Sequence, residues 1–108
     1  MPLELPPPIA SYFRADTSGD ADALAQRFTE DAIVTDEGQT HRGPTAIRDW
    51  WQSAKEKYHH TIEPLRSAEQ HGRLVVTSRV SGNFPGSPVE LDFVFEMAGD
   101  KIRHLEVR

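Results

Sequence analysis

The stretch from Gly19 to Trp51, GDADALAQRFTEDAIVTDEGQTHRGPTAIRDWW, leaves this chain the fewest folds to choose from. Asp20 is a strong helix starter, because its carboxylate can accept from the free amides of a first turn. Leu24 and Phe28 then fall on one helix face, which predicts a helix over 20–28. The pattern breaks at Thr29-Glu30-Asp31, and Ala32-Ile33-Val34-Thr35 is β-rich enough for a strand. Asp36-Glu37-Gly38-Gln39 has hairpin-turn chemistry, and Thr40-His41-Arg42 returns as a second short strand. Gly43 is expected at positive φ, and Pro44 suits the first position of a helix over 44–57. Ile47, Trp50 or Trp51, Ala54 and Tyr58 recur along it at three- and four-residue steps, the stripe of a helix pressed on apolar surface.

The flanks extend this order. Residues 2–8 are proline-rich and expected to be extended. Ile9, Tyr12 and Phe13 share the buried face of a first helix, closed by Gly19 as a left-handed cap. After Tyr58 the periodicity turns to strands. His59 to Glu69 forms one, with Pro64 marking an edge or a bulge, and 73–82 forms the next. Residues 83–88 are a loop dense in turn formers. Val89, Leu91, Phe93, Phe95 and Met97 then alternate with Glu90, Asp92, Val94 and Glu96, so 88–97 should pair antiparallel with 73–82. Lys101 to Val107 is the last strand. Helices early and strands late make an α+β domain, and 108 residues suit one domain, 1–108.

Composition excludes several classes of function. The net charge is −5 with scattered basic residues, which is not the footprint of a nucleic-acid binder. With no cysteine, disulfides and thiolate-held metals are out. The start has neither a basic region nor a long apolar run, so no signal peptide is expected. No window approaches the ~20 apolar residues of a membrane helix. A soluble cytoplasmic protein is the default expectation.

The order "GD, short helix, F-x-x-D-A-x-V-x-D, G-x-x-x-I-x-x-W" resembles the nuclear transport factor 2-like superfamily, and within it the SnoaL-like polyketide cyclase and ketosteroid isomerase branches. The likeness covers nearly the whole chain. It implies a strongly curved antiparallel sheet wrapped around about three N-terminal helices, a cystatin-like cone with an internal pocket. It also implies dimerisation through the sheet's outer face. A homodimer is expected there because the two strands 74–80 and 89–97 carry apolar residues on more than one face (Val75 and Val76; Val94). The fold alone fixes no reaction.

Asp36, at the end of the first strand, occupies the place where ketosteroid isomerase-like proteins carry their base. A carboxylate at the rim of an apolar pocket can lift a proton from carbon beside a carbonyl; otherwise Asp36 is an ordinary turn residue. Tyr12 stands at the offset of that branch's hydroxyl donor, where a buried phenol can serve a developing enolate; otherwise it is a core aromatic. Asp92 is the one plausible second acid, but the alternation turns it away from the apolar face that carries Phe93. His59 and His60, adjacent on a strand, leave by opposite faces and cannot share an ion, so no metal site is expected. His60 is expected to face the pocket and His41 to approach it. Trp50 and Trp51 lie about 100° apart on their helix, so one is core and the other lines a pocket mouth or an interface. The expected reading is a cofactor-free isomerase or cyclase acting on a small apolar carbonyl compound. The alternatives are a binder of a small apolar ligand and a dimeric interaction module.

Overall fold

The computed structural model describes residues 4–108. Among these, the chain runs α1 (Pro7–Ser18), α2 (Ala21–Ala25), β1 (Phe28–Asp36), β2 (Gln39–Arg42), α3 (Pro44–Tyr58), β3 (Thr61–Gln70), β4 (Arg73–Ser81), β5 (Val89–Ala98) and β6 (Lys101–Val107). The six strands form one open curved sheet in the order β2-β1-β6-β5-β4-β3. Four junctions are antiparallel, but β1 and β6 run parallel, with Val34 opposite Leu105. The three helices pack on one face.

Local chemistry explains most boundaries. Pro7 and Pro8 are helical, because proline at a first turn gives up no hydrogen bond, so the extended reading fails there. For residues 2 and 3 that reading lies outside the described residues. Asp20 caps α2 by accepting from the Ala23 amide at 3.0 Å. That helix ends at Ala25, short of the expected Phe28, and β1 begins at Phe28 rather than Ala32. The cause is tertiary: Phe28 pairs with Ile102 of β6, and the Ile102 amide donates to the Arg27 carbonyl at 2.8 Å. Strand pairing takes over where helix propensity runs out. Gly43 has φ +87°, a conformation that opens α3 and that side-chain-bearing residues rarely adopt. Pro64 sits on the edge strand β3, where the register to β4 shifts just after it.

The core lies between the helices and the inner face of the sheet. Ile9, Tyr12 and Phe13 from α1 meet Phe28, Phe93 and Phe95 from the strands. Tyr12 makes edge-on contacts with Phe13, Phe28 and Phe95 at centroid separations of 5.3, 5.9 and 5.6 Å. Such contacts add roughly 0.5–1.5 kcal/mol each beyond the area they bury. Of the three valines that pointed to a dimer face, Val76 is core. Val94 is 4% exposed within the single chain and Val75 is half-buried. Val94 is therefore covered within the single chain.

Candidate active site

Between α3, the inner face of the sheet and the 82–88 loop lies a cavity of about 340 Å³. Its walls are mostly aromatic and aliphatic. Trp50, Trp51 and Tyr58 come from α3, Phe84 from the loop, and Leu91 and Phe93 from β5. The loop is pinned to the end of α3, where the Asn83 amide donates to the Tyr58 carbonyl at 2.7 Å. The rings of Phe84 and Tyr58 meet edge-on at 5.8 Å. Gly82 makes that approach possible, since a Cβ there would lie 2.7 Å from the Tyr58 carbonyl oxygen.

Two tryptophans in sequence, two aspartates far apart, organise the polar part. Successive side chains on a helix diverge by about 100°. Trp50 turns to the cavity edge and donates its indole N–H to Asp36 Oδ2 at 3.0 Å. Trp51 turns to the core, 3% exposed, and donates to Asp16 Oδ2 at 2.7 Å. Trp51 is thus the core tryptophan, though one edge of it reaches the cavity wall.

Asp16 was not singled out by the sequence reading. Placed on α1 before Thr-Ser-Gly, it resembles a solvated residue at a helix end. The structure buries it to 1% exposure and brings three donors to it from two other elements. Besides Trp51, His60 Nε2 lies 2.9 Å from Asp16 Oδ2, and Lys55 Nζ lies 3.5 Å from Oδ1. Burial alone would push this carboxyl up. The hydrogen bonds from His60 and Trp51, with the charges of His60 and Lys55, outweigh burial and hold it below the usual carboxylate range. An ionised carboxylate only accepts, so in this contact His60 is the donor, through Nε2. The only signal in the sequence was the polar triple Asp16, Lys55 and His60, and no spacing ties those positions together.

The expected site residues divide as follows. Tyr12, Asp36, Trp50, Trp51, His60 and Phe93 all line the cavity. His41 does not. It sits on β2 with its ring 6.1 Å from that of Trp50, tilted by 36°. His59 and His60 diverge, but not as neighbours on a strand: β3 starts at Thr61, and His59 is the left-handed cap of α3 at φ 48°. Asp92 is off the wall, accepting from the Thr77 hydroxyl at 2.7 Å. Tyr12 is 1% exposed, and its hydroxyl finds no hydrogen-bond partner among the described residues. Burial first, then the charges of Asp16 and Asp36, pushes its phenol well above the usual tyrosine range, so it stays a donor. Among the described residues no three histidine or carboxylate side chains gather closely enough to share an ion. No helix among them is long and apolar enough to cross a membrane.

Comparison with known proteins points one way. The profile of the SnoaL-like domain matches residues 9–105. A candidate polyketide cyclase from Sinorhizobium meliloti superposes with a TM-score of 0.92 at 42% identity, covering 96% of this chain and 95% of that one. A hypothetical protein with a ketosteroid isomerase-like fold from Catenulispora acidiphila, solved with trimethylamine, gives a TM-score of 0.84 at 16% identity. It covers 97% of this chain and 86% of its own, a likeness of fold alone. SalBIII, an epoxide hydrolase/cyclase-like enzyme of pyran ring formation in the polyether salinomycin, gives a TM-score of 0.78 at 24% identity. It covers 93% of this chain and 85% of its own. Comparison with curated proteins finds no match. The aromatic cavity thus sits inside a chain that, by profile and by its likeness to the Sinorhizobium protein, belongs to the SnoaL-like domain family.

Proposed function

We propose that this chain is a cofactor-free isomerase or cyclase acting on a small, largely apolar carbonyl compound, with Asp36 as general base and Tyr12 as hydrogen-bond donor. One observation carries the reading: the phenol of Tyr12 shares a cavity wall with the half-buried carboxylate of Asp36. Trp50 holds one oxygen of Asp36 and leaves the other for a substrate. Asp36 would take the proton from carbon beside the carbonyl, and the electron pair would pass to the carbonyl oxygen. Tyr12 would donate to that oxygen as its charge grows. The enolate then either regains a proton at another carbon or attacks a second carbonyl and closes a ring.

Asp92 takes no part, so the paired acids of a steroid isomerase are not what this reading invokes. His60, steadied by Asp16, is the group on the wall best placed to return a proton. A binder without catalysis is the second reading, favoured by the single accessible aspartate on the wall. The open volume supports either of these over a pocketless interaction module.

Proton–deuterium exchange of an enolisable cyclic ketone tests the proposal. Exchange should fall about 100-fold in Asp36→Asn and by a smaller factor in Tyr12→Phe. Exchange indifferent to Asp36→Asn would leave the binder ahead.

A further inference from the structure

The charges around the cavity are unbalanced. Asp36 and Glu37 are on its wall, and among the described residues no lysine or arginine is. The nearby cations are engaged elsewhere. Lys55 and His60 face Asp16, and Arg48 pairs with Asp22 at 2.8 Å. Lys57 leans over the Tyr58 ring, its nitrogen 5.0 Å from the centroid. Its ammonium is held above the usual range first by Tyr58, and Glu37 adds a smaller push. Glu37 thus has a cation in the neighbourhood. Among the described residues, the hydrogen-bond partner of Asp36's side chain is the neutral indole of Trp50.

The remaining wall answers the same need. Trp50 beside that carboxylate, with Tyr58 and Phe84 elsewhere on the same wall, presents aromatic surface, and ring faces attract cations through their quadrupole. Tyr12 adds to the wall a hydroxyl oxygen that can accept from an N–H. An anion would meet repulsion from Asp36 and Glu37, and a cation would be drawn to them.

We propose that the cavity takes an organic ammonium compound, an apolar body carrying one positively charged nitrogen that lies beside Asp36 against the aromatic wall. This rests on the reading of the cavity as a ligand site, and not on Asp36 going on to take a proton.

Three probes of one shape and different charge test it: cyclohexylmethylammonium, cyclohexylmethanol and cyclohexanecarboxylate. Each is titrated at pH 7.5 and low salt against tryptophan fluorescence, with calorimetry as a check. The ammonium should bind about tenfold more tightly than the alcohol, and the carboxylate most weakly. In Asp36→Asn the preference for the ammonium should vanish while the alcohol still binds. An alcohol that matches the ammonium in the unaltered protein overturns the inference and leaves the cavity a ligand site. A preference that survives Asp36→Asn overturns it as well. If none of the three binds, the ligand-site reading falls and this inference falls with it. The comparison in the unaltered protein decides the matter even if the variant does not fold.

Discussion

Trp50 and Trp51 are neighbours in sequence, and each gives its indole N–H to an aspartate, yet the two pairs do different work. The Trp51–Asp16 pair is sealed in the core and surrounded by a histidine and a lysine. The Trp50–Asp36 pair stands half-buried at a cavity and, among the described residues, has no ion-pair partner. Burying a carboxylate is costly unless donors and opposite charge compensate it, and Asp16 has both. Asp36 keeps some water and needs less, so its second oxygen stays available. The same side-chain chemistry makes a fastening in one place and a reactive edge in the other, and the environment decides which.

The sharpest way to break this contrast is Asp16→Leu. It strands an indole N–H, a histidine and a lysine around a buried apolar side chain, and should cost about 3–5 kcal/mol in urea unfolding. That is a large share of the stability of a domain this size. A loss under about 1 kcal/mol would mean that the network contributes little to the fold.

Next in size is a comparison of the two tryptophans. Trp51→Phe removes a buried donor and core volume and should cost about 1–3 kcal/mol. Trp50→Phe should cost less than about 1 kcal/mol, since Asp36 can turn to water. Equal losses would erase the distinction between the pairs.

The third effect is a dependence on acid. The folded state holds the Asp16 carboxyl below its ordinary range, so the unfolded chain binds its proton more readily. The stability this lends is fully present above about pH 3.9 and is lost as pH falls through the lower, folded value. Asp16→Asn should flatten that part of the stability profile, measured by chemical unfolding between pH 2 and 6. An unchanged profile would place the acid sensitivity in other carboxylates. The smallest effect is expected of Asp36→Asn, whose stability should stay within roughly 0.5 kcal/mol of the parent. A larger loss would make Asp36 a structural residue like Asp16.

What could be read from the sequence follows the range of the interactions involved. The α1 face of Ile9, Tyr12 and Phe13, the β5 alternation and the positive φ of Gly43 are dictated by neighbours a few residues away. All were legible. The divergence of the tryptophans was also legible, though which one went inward was not, because that depends on where Asp16 and Asp36 lie in space. Asp16 itself could not be found, since its partners sit 35 and 44 residues downstream on elements that meet only in the fold. The short α2 was misjudged for the same reason: Phe28 satisfies a helical period locally but is claimed by a strand from the far end of the described chain. His41 was placed near the cavity by its closeness to Asp36 in sequence. The hairpin between them pairs His41 with Val34, and it meets the ring of Trp50 without lining the cavity.

The parallel contact between β1 and β6 has a consequence for how the molecule assembles. Thr35 and His104 touch across it at 3.3 Å although 69 residues separate them. The sheet therefore has two parts that cannot recognise each other locally: the hairpin β1-β2, and the meander β3-β4-β5. β6 is the strip that joins them, and Val107 near its end forms part of the cavity wall. On a ribosome, both parts would emerge before the strand that unites them, with the edges of β1 and β5 unpaired in the meantime. Loop closure over such a span is slow compared with hairpin formation. The cavity is then a late product of folding, and partial chains lacking β6 would expose two adhesive edges to whatever is nearby.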